Sequence, residues 1–223
     1  MSLSVNRENF VLHKLHSLSG IIPVGFYMLQ HLTLNSFSLA GESQFNGVIS
    51  FFGSIPWYIL LAMETLLIWI PLLFHAVYGL FITNRAQVNY FGHYKWQENL
   101  MYTLQRYTGV FLFLFLIFHV SSTTASKYFH HDDSLLMYAQ WQHNLTSYGY
   151  ALTALYILGV AIASYHLSYG IWNFCIRWGI AVSEQAQARI QRFSFWMFIA
   201  VTLLGWAALA GFLIHTPATA VSA

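Results

Sequence analysis

Five long apolar runs constrain this 223-residue chain more than any other feature. They lie at about 18–38, 57–82, 105–126, 149–175 and 193–215. A helix needs roughly 20 such residues to cross the hydrocarbon core of a bilayer. Only 7% of the residues are charged, against about 25% in a soluble domain, so a water-soluble fold of this size could not cover its surface. The expected fold is all-α: a polytopic membrane protein of five transmembrane helices forming one transmembrane domain over 1–223. Polar loops such as "NSFSLAGESQFNG" and "KYFHHDDSLLMYAQWQHN" separate the runs. The polar start "MSLSVNRENFVLHKLHS" has no small-residue cleavage site after its apolar run, which reads as a retained helix.

Charge orients the helices. Lys and Arg favour the cytoplasmic side. Arg7, Lys14, Arg85, Lys95, Arg106, Arg177, Arg189 and Arg192 fall on one side and Lys127 on the other. The N-terminus is therefore expected in the cytoplasm and the C-terminus outside. A net charge of +2 gives no reason to expect a nucleic-acid partner. One cysteine, Cys175, provides no disulfide framework and no zinc or iron–sulfur site.

Four spans each hold a histidine: His31 in "YMLQHLTL", His75 in "PLLFHAVYGL", His119 in "FLIFHVSS" and His166 in "IASYHLSYGI". One membrane histidine is ordinarily explained by a hydrogen bond to a neighbouring helix. Four together are not, because ionisable residues within a membrane are rare and functional. With alternating helix direction, His31 and His119 lie toward the outer face, and His75 and His166 toward the inner. The two depths differ by roughly 15 Å at 1.5 Å per residue. Facing helices that each supply one histidine at matched depth can hold a haem, so the pattern points to two haems b. Gly79 and Gly170 each follow their histidine by four residues, on the same helix face, where a flat macrocycle could approach or a neighbouring helix pack. Iron ligated by two histidines has no open position and passes electrons.

Glu64 is the one acidic residue within a span. Eleven residues before His75, it falls about 20° from the same face and about 16 Å toward the outside. It is either a structural carboxyl or a proton donor and acceptor for a quinone. Arg177, eleven residues after His166, either pairs with a haem propionate or snorkels to the interface. Ser17 and Gln105 are weaker candidates for hydrogen bonds to haem or quinone near the inner edge. His130, His131, Asp132 and Asp133 read as a solvated outer loop. His93 and His143 lie in loops, and His13 and His16 precede the first span. His215, at the end of the fifth span, has no partner at its depth.

The stretches "LHSLSGIIPVGFYMLQHL", "PLLFHAVYGL", "LQRYTGVFLFLFLIFHV" and "YGIWNFCIRWGIAV" resemble the five-helix, two-haem cytochrome b membrane anchor of succinate:menaquinone oxidoreductases and quinol:fumarate reductases. The resemblance implies His31 with His119 on a distal, low-potential haem and His75 with His166 on a proximal, high-potential one. It implies a flavoprotein with FAD and an iron–sulfur protein on the cytoplasmic face. Dicarboxylate chemistry would reside in those partners, and electrons would run through the haems to menaquinone, in a bacterial cytoplasmic membrane. Glu64 matches an acidic position of the succinate-oxidising branch. Members with a transmembrane proton pathway carry a glutamate two residues before the fourth histidine. Here that residue is Ser164, which implies electron transfer coupled to the membrane potential. Two alternatives stand beside this. One is the cytochrome b subunit of a formate dehydrogenase or hydrogenase. The other is a non-redox transporter using histidine relays, which would show helices interrupted near the midplane.

Overall fold

The computed structural model describes residues 2–85 and 96–215, with side chains from Phe10 onward. Lys95 and His93 lie outside the described residues, as does the side chain of Arg7. Every element among the described residues is helical. The helices are α1 (Ser2–Ile21), α2 (Pro23–Asn35), α3 (Glu42–Gly53), α4 (Trp57–Glu64), α5 (Ile70–Arg85), α6 (Gln97–Ser122), α7 (Thr124–His130), α8 (Tyr138–Thr146), α9 (Ala151–Arg177) and α10 (Glu184–Ile214).

Four helical stretches are long and apolar enough to cross a membrane: Trp57–Arg85, Gln97–His130, Tyr148–Arg177 and Glu184–Ile214. The most apolar window of Trp57–Arg85 has 0% of its residues buried within the protein. Side chains such as Leu66 and Leu73 are 65% and 59% exposed. A face this apolar is stable only against lipid. The chain is thus a polytopic integral membrane protein.

Two expected spans differ in detail from the sequence reading. The first run is not one helix over 18–38. Helix starts at Ser2, and the chain is divided into α1 and α2 at Ile22, just before Pro23. Proline lacks the N–H that would reach back to the carbonyl of Ser19, so the ladder is interrupted there. In the second run a π-helical segment, Thr65–Trp69, separates α4 from α5. Pro71 follows two residues later, and the wider turn before it is a way to absorb the proline ring. The loops are also more ordered than their polarity implied. "NSFSLAGESQFNG" forms a 3-10 turn (Ser36–Ala40) and α3, and "KYFHHDDSLLMYAQWQHN" contributes α7 and α8.

The residues group into two compact units. One comprises Met1–Tyr27, Met63–Phe113 and Ile162–Ile199; the other comprises Met28–Ala62, Leu114–Ala161 and Ala200–Ala223. The second has an aromatic core of Phe45, Tyr138, Leu145, Tyr156, Leu209 and Phe212. Polar pins close it: Tyr138 donates to the Gly211 carbonyl at 2.6 Å, Gln142 to the Phe212 carbonyl at 3.0 Å, and Ser38 to the Ala208 carbonyl at 2.7 Å. His215 Nε2 lies 3.0 Å from the Leu39 carbonyl, so this histidine ties the end of α10 to the Ser36–Ala40 turn.

Candidate functional site

Within the first unit, His75 on α5 and His166 on α9 face one another with ring centroids 6.2 Å apart and planes at 89°. Within the second unit, His31 on α2 and His119 on α6 are 5.8 Å apart at 78°. Two imidazole nitrogens bonded to one metal at about 2.0–2.1 Å each, with each ring centre about 1.1 Å behind its nitrogen, would put the centroids roughly 6.3 Å apart. Both separations lie close to that spacing. Two neutral imidazoles are also the donor set for haem iron without an open position.

Each ring of the first pair is oriented through its Nδ1. His75 Nδ1 lies 2.9 Å from the His16 carbonyl, which can only accept, so Nδ1 carries the proton. A neutral imidazole with a protonated Nδ1 keeps its Nε2 lone pair available. His166 Nδ1 lies 3.0 Å from Thr108 Oγ1. The seats are glycines on neighbouring helices. A methyl on Gly20 would overlap the His75 ring, and one on Gly109 would stand 3.1 Å from His166 Cε1. In the second pair, His119 Nδ1 lies 2.9 Å from the Tyr156 hydroxyl. Asn35 donates to the His31 carbonyl at 2.8 Å, and its amide is 3.4 Å from His31 Nε2, beyond the usual hydrogen-bond range.

His16 was not marked by the sequence, because it precedes the apolar run. Here it lies on α1, its ring stacked on His75 at 4.1 Å and 12°. Its Nδ1 is buried without a hydrogen-bond partner among the described residues. Gly79 lies against this third imidazole, since a methyl there would stand 3.1 Å from His16 Cε1. A methyl on Gly170 would meet Gln105 Nε2 at 3.5 Å. The glycines that touch the paired rings are therefore Gly20 and Gly109, on helices facing the histidines rather than on their own.

The remaining candidates take these places. Gln105 Nε2 donates to the His166 carbonyl at 3.0 Å, while its Oε1 is buried without a partner among the described residues. Ser17 donates to the Lys14 carbonyl at 2.9 Å and accepts from Trp178 Nε1 at 2.9 Å. Arg177 Nη1 is 3.4 Å from His13 Nδ1, beside a cleft of about 260 Å³ lined by Phe10, His13, Lys14 and Arg177. Lys14 donates to the Arg177 carbonyl at 2.7 Å and lies over the Trp178 ring. Glu64 ends α4, directly before the π-helical segment. One extra residue in that turn rotates Glu64 by roughly 100° relative to a regular helix, so the shared face expected with His75 is not kept. The carboxyl instead sits within electrostatic reach of the Tyr27 phenol. Ser164 is fully buried on α9, its hydroxyl unpartnered among the described residues.

No family model matches the chain. Over 210 residues, covering 94% of this chain and 100% of the relative, it is 35% identical to the succinate dehydrogenase cytochrome b558 subunit of Bacillus subtilis (strain 168). A full-length match at this identity, on an apolar helical chain with two facing histidine pairs, decides the assignment. The chain belongs to the membrane-anchor cytochrome b subunits of succinate:quinone oxidoreductases, the electron-transport branch that contains succinate dehydrogenase.

Proposed function

We propose that this subunit carries electrons from succinate to menaquinone through two haems b, held by His75 with His166 and by His31 with His119. The observation that supports this most is the pairing itself: two couples of imidazoles, each near the spacing that one shared iron would set. In this reading the first helical stretch, α1 with α2, serves as a fifth span despite its break at Pro23, and the whole chain is one transmembrane domain. The N-terminus faces the cytoplasm of a bacterial cell and the C-terminus the outside, as the distribution of Lys and Arg favours.

When bound, haem supplies a one-electron carrier with no free coordination position. This chain's residues do the rest. The Nδ1 partners of His75, His166 and His119 fix those rings about their long axes. Apolar side chains around the pairs exclude water and keep the imidazoles neutral. Oxidation of succinate to fumarate in an FAD-bearing flavoprotein releases two electrons and two protons. His75 and His166 would hold the haem on the side that an iron–sulfur partner in the cytoplasm would supply with electrons. Menaquinone takes up two electrons and two protons to become the quinol. Glu64 is the proton-exchanging group for that step, with Tyr27 as its electrostatic neighbour. Arg177, at the cytoplasmic end of α9, is the cation suited to a haem propionate. Ser164 offers no carboxylate for a compensating proton path, so turnover is expected to respond to the membrane potential.

The test is a redox titration of the purified complex followed optically. Two b-type components of different midpoint, both reduced by succinate and reoxidised by a menaquinone analogue, are the expected result. A single component, or none, would contradict the reading.

A further inference from the structure

Helix α6 grips His166 at three successive points. Gln105 Nε2 donates to its backbone carbonyl at 3.0 Å. Thr108 Oγ1 lies 3.0 Å from its Nδ1. Gly109 lies under its ring edge, where a methyl would stand 3.1 Å from Cε1. These residues lie in the "QRYTG" stretch of the sequence, where neither Thr108 nor Gly109 stands out as a site residue.

The direction of the Thr108 contact follows from the hydroxyl's single proton. Thr108 Oγ1 donates to the Leu104 carbonyl at 2.7 Å, with the Gln105 carbonyl further off at 3.1 Å. Toward His166 the oxygen therefore has a lone pair to offer and no proton. His166 Nδ1 is then the donor, and the tautomer is fixed with Nε2 unprotonated. His75 reaches the same state against the His16 carbonyl. A carbonyl cannot be removed by side-chain substitution, whereas a hydroxyl can.

We propose that the Thr108 hydroxyl is a positioning group for His166, holding the ring on Gly109 with Nδ1–H bound and Nε2 directed at the iron. This rests on the reading of His166 as an iron ligand. Two consequences follow. Accepting a hydrogen bond from Nδ1–H raises the basicity of the ligand, which favours ferric iron and lowers the midpoint of that haem. It also fixes the ring plane, which stands at 89° to that of His75.

The experiment compares Thr108→Val, which keeps the shape and removes the acceptor, with Thr108→Ser, which keeps the acceptor. Both are made in the intact complex. Thr108→Val is expected to raise the midpoint of one haem only, and to move that haem's low-spin ferric EPR signal, which reports the angle between the imidazole planes. Thr108→Ser is expected to stay at the wild-type values. Failure of both Thr108→Val and Thr108→Ala to retain that haem, with Thr108→Ser retaining it, supports the same requirement. A Thr108→Val complex with unshifted midpoint and EPR signal overturns the proposal, as do equal shifts in Thr108→Val and Thr108→Ser. His166→Ala separates the levels. If it keeps both haems, the ligand assignment fails and the proposal with it. If it loses one haem while Thr108→Val is unshifted, the proposal alone fails.

Discussion

Replacing Gly20 by alanine tests the seat of His75, the histidine that faces His166. The added methyl would stand 2.6 Å from His75 Nδ1 and nearer still to Cε1. An ordinary contact begins at 3.4 Å, so the ring must retreat by about 0.8 Å at Nδ1, and further at Cε1, if α1 holds its place. That takes Nδ1 from 2.9 Å to as much as about 3.7 Å from the His16 carbonyl, beyond hydrogen-bond range. The lost bond costs about 0.5–1.5 kcal/mol. With His75 as an iron ligand, as proposed, its ring cannot swing aside, and overpacking adds about 1–3 kcal/mol. The combined effect, about 1.5–4.5 kcal/mol, weakens haem retention at the His75/His166 station by roughly 10- to 1,600-fold at 1.4 kcal/mol per decade. The assay is haem b per complex by haemochrome absorbance, with the optical titration resolving which component is lost. Gly47→Ala is the control, because nothing lies within 4 Å of its added methyl. A Gly20→Ala complex that keeps both haems, with the inner midpoint unchanged, would refute the reasoning.

Three further outcomes follow from the same geometry. Tyr156→Phe removes the hydroxyl 2.9 Å from His119 Nδ1 and is expected to move the midpoint of the outer haem alone, checked by optical titration. Glu64→Gln leaves both haem spectra intact and lowers succinate–menaquinone turnover on the order of 10²-fold, the lower range for loss of a general acid–base group; steady-state kinetics with a fixed quinone analogue measure this. Gly211→Ala places a methyl 2.5 Å from the Ser38 and Leu39 backbone, which cannot yield as a side-chain tip does. It is expected to destabilise the complex by about 1–3 kcal/mol, seen as a lower thermal midpoint in detergent.

Much of the architecture was legible in the sequence because lipid imposes simple rules. Apolar runs of sufficient length gave Trp57–Arg85, Gln97–His130, Tyr148–Arg177 and Glu184–Ile214 within a few residues at several of their ends. Four histidines in four runs gave the two couples. Local backbone departures were not legible. Pro23 and Pro71 were visible as residues, but whether a proline kinks a helix, splits it or widens a turn before it depends on packing around the freed carbonyl. The π-helical turn at Thr65–Trp69 therefore spoiled a face argument for Glu64 that assumed 3.6 residues per turn throughout. Partners across helices were equally hidden. Periodicity relates residues on one helix, so it marked Gly79 and Gly170 beside their own histidines and missed Gly20, Gly109 and His16. One signal was available for His16: "LHSLSG" ends in a glycine four residues after that histidine, the same interval that had been noticed in "HAVYG" and "HLSYG". The outer connections looked like loops because polar residues dominate them, yet α3 and α8 bury Phe45, Tyr138 and Leu145.

The most direct measurement of the account is haem b per chain in the purified complex, for the wild type and for His31, His75, His119 and His166 each changed to alanine. Two haems in the wild type are predicted. Each variant should retain one, with His75→Ala and His166→Ala losing the same spectral component and His31→Ala and His119→Ala losing the other. A variant of any of the four that still holds two haems, or His31→Ala losing the component that His75→Ala loses, would contradict it.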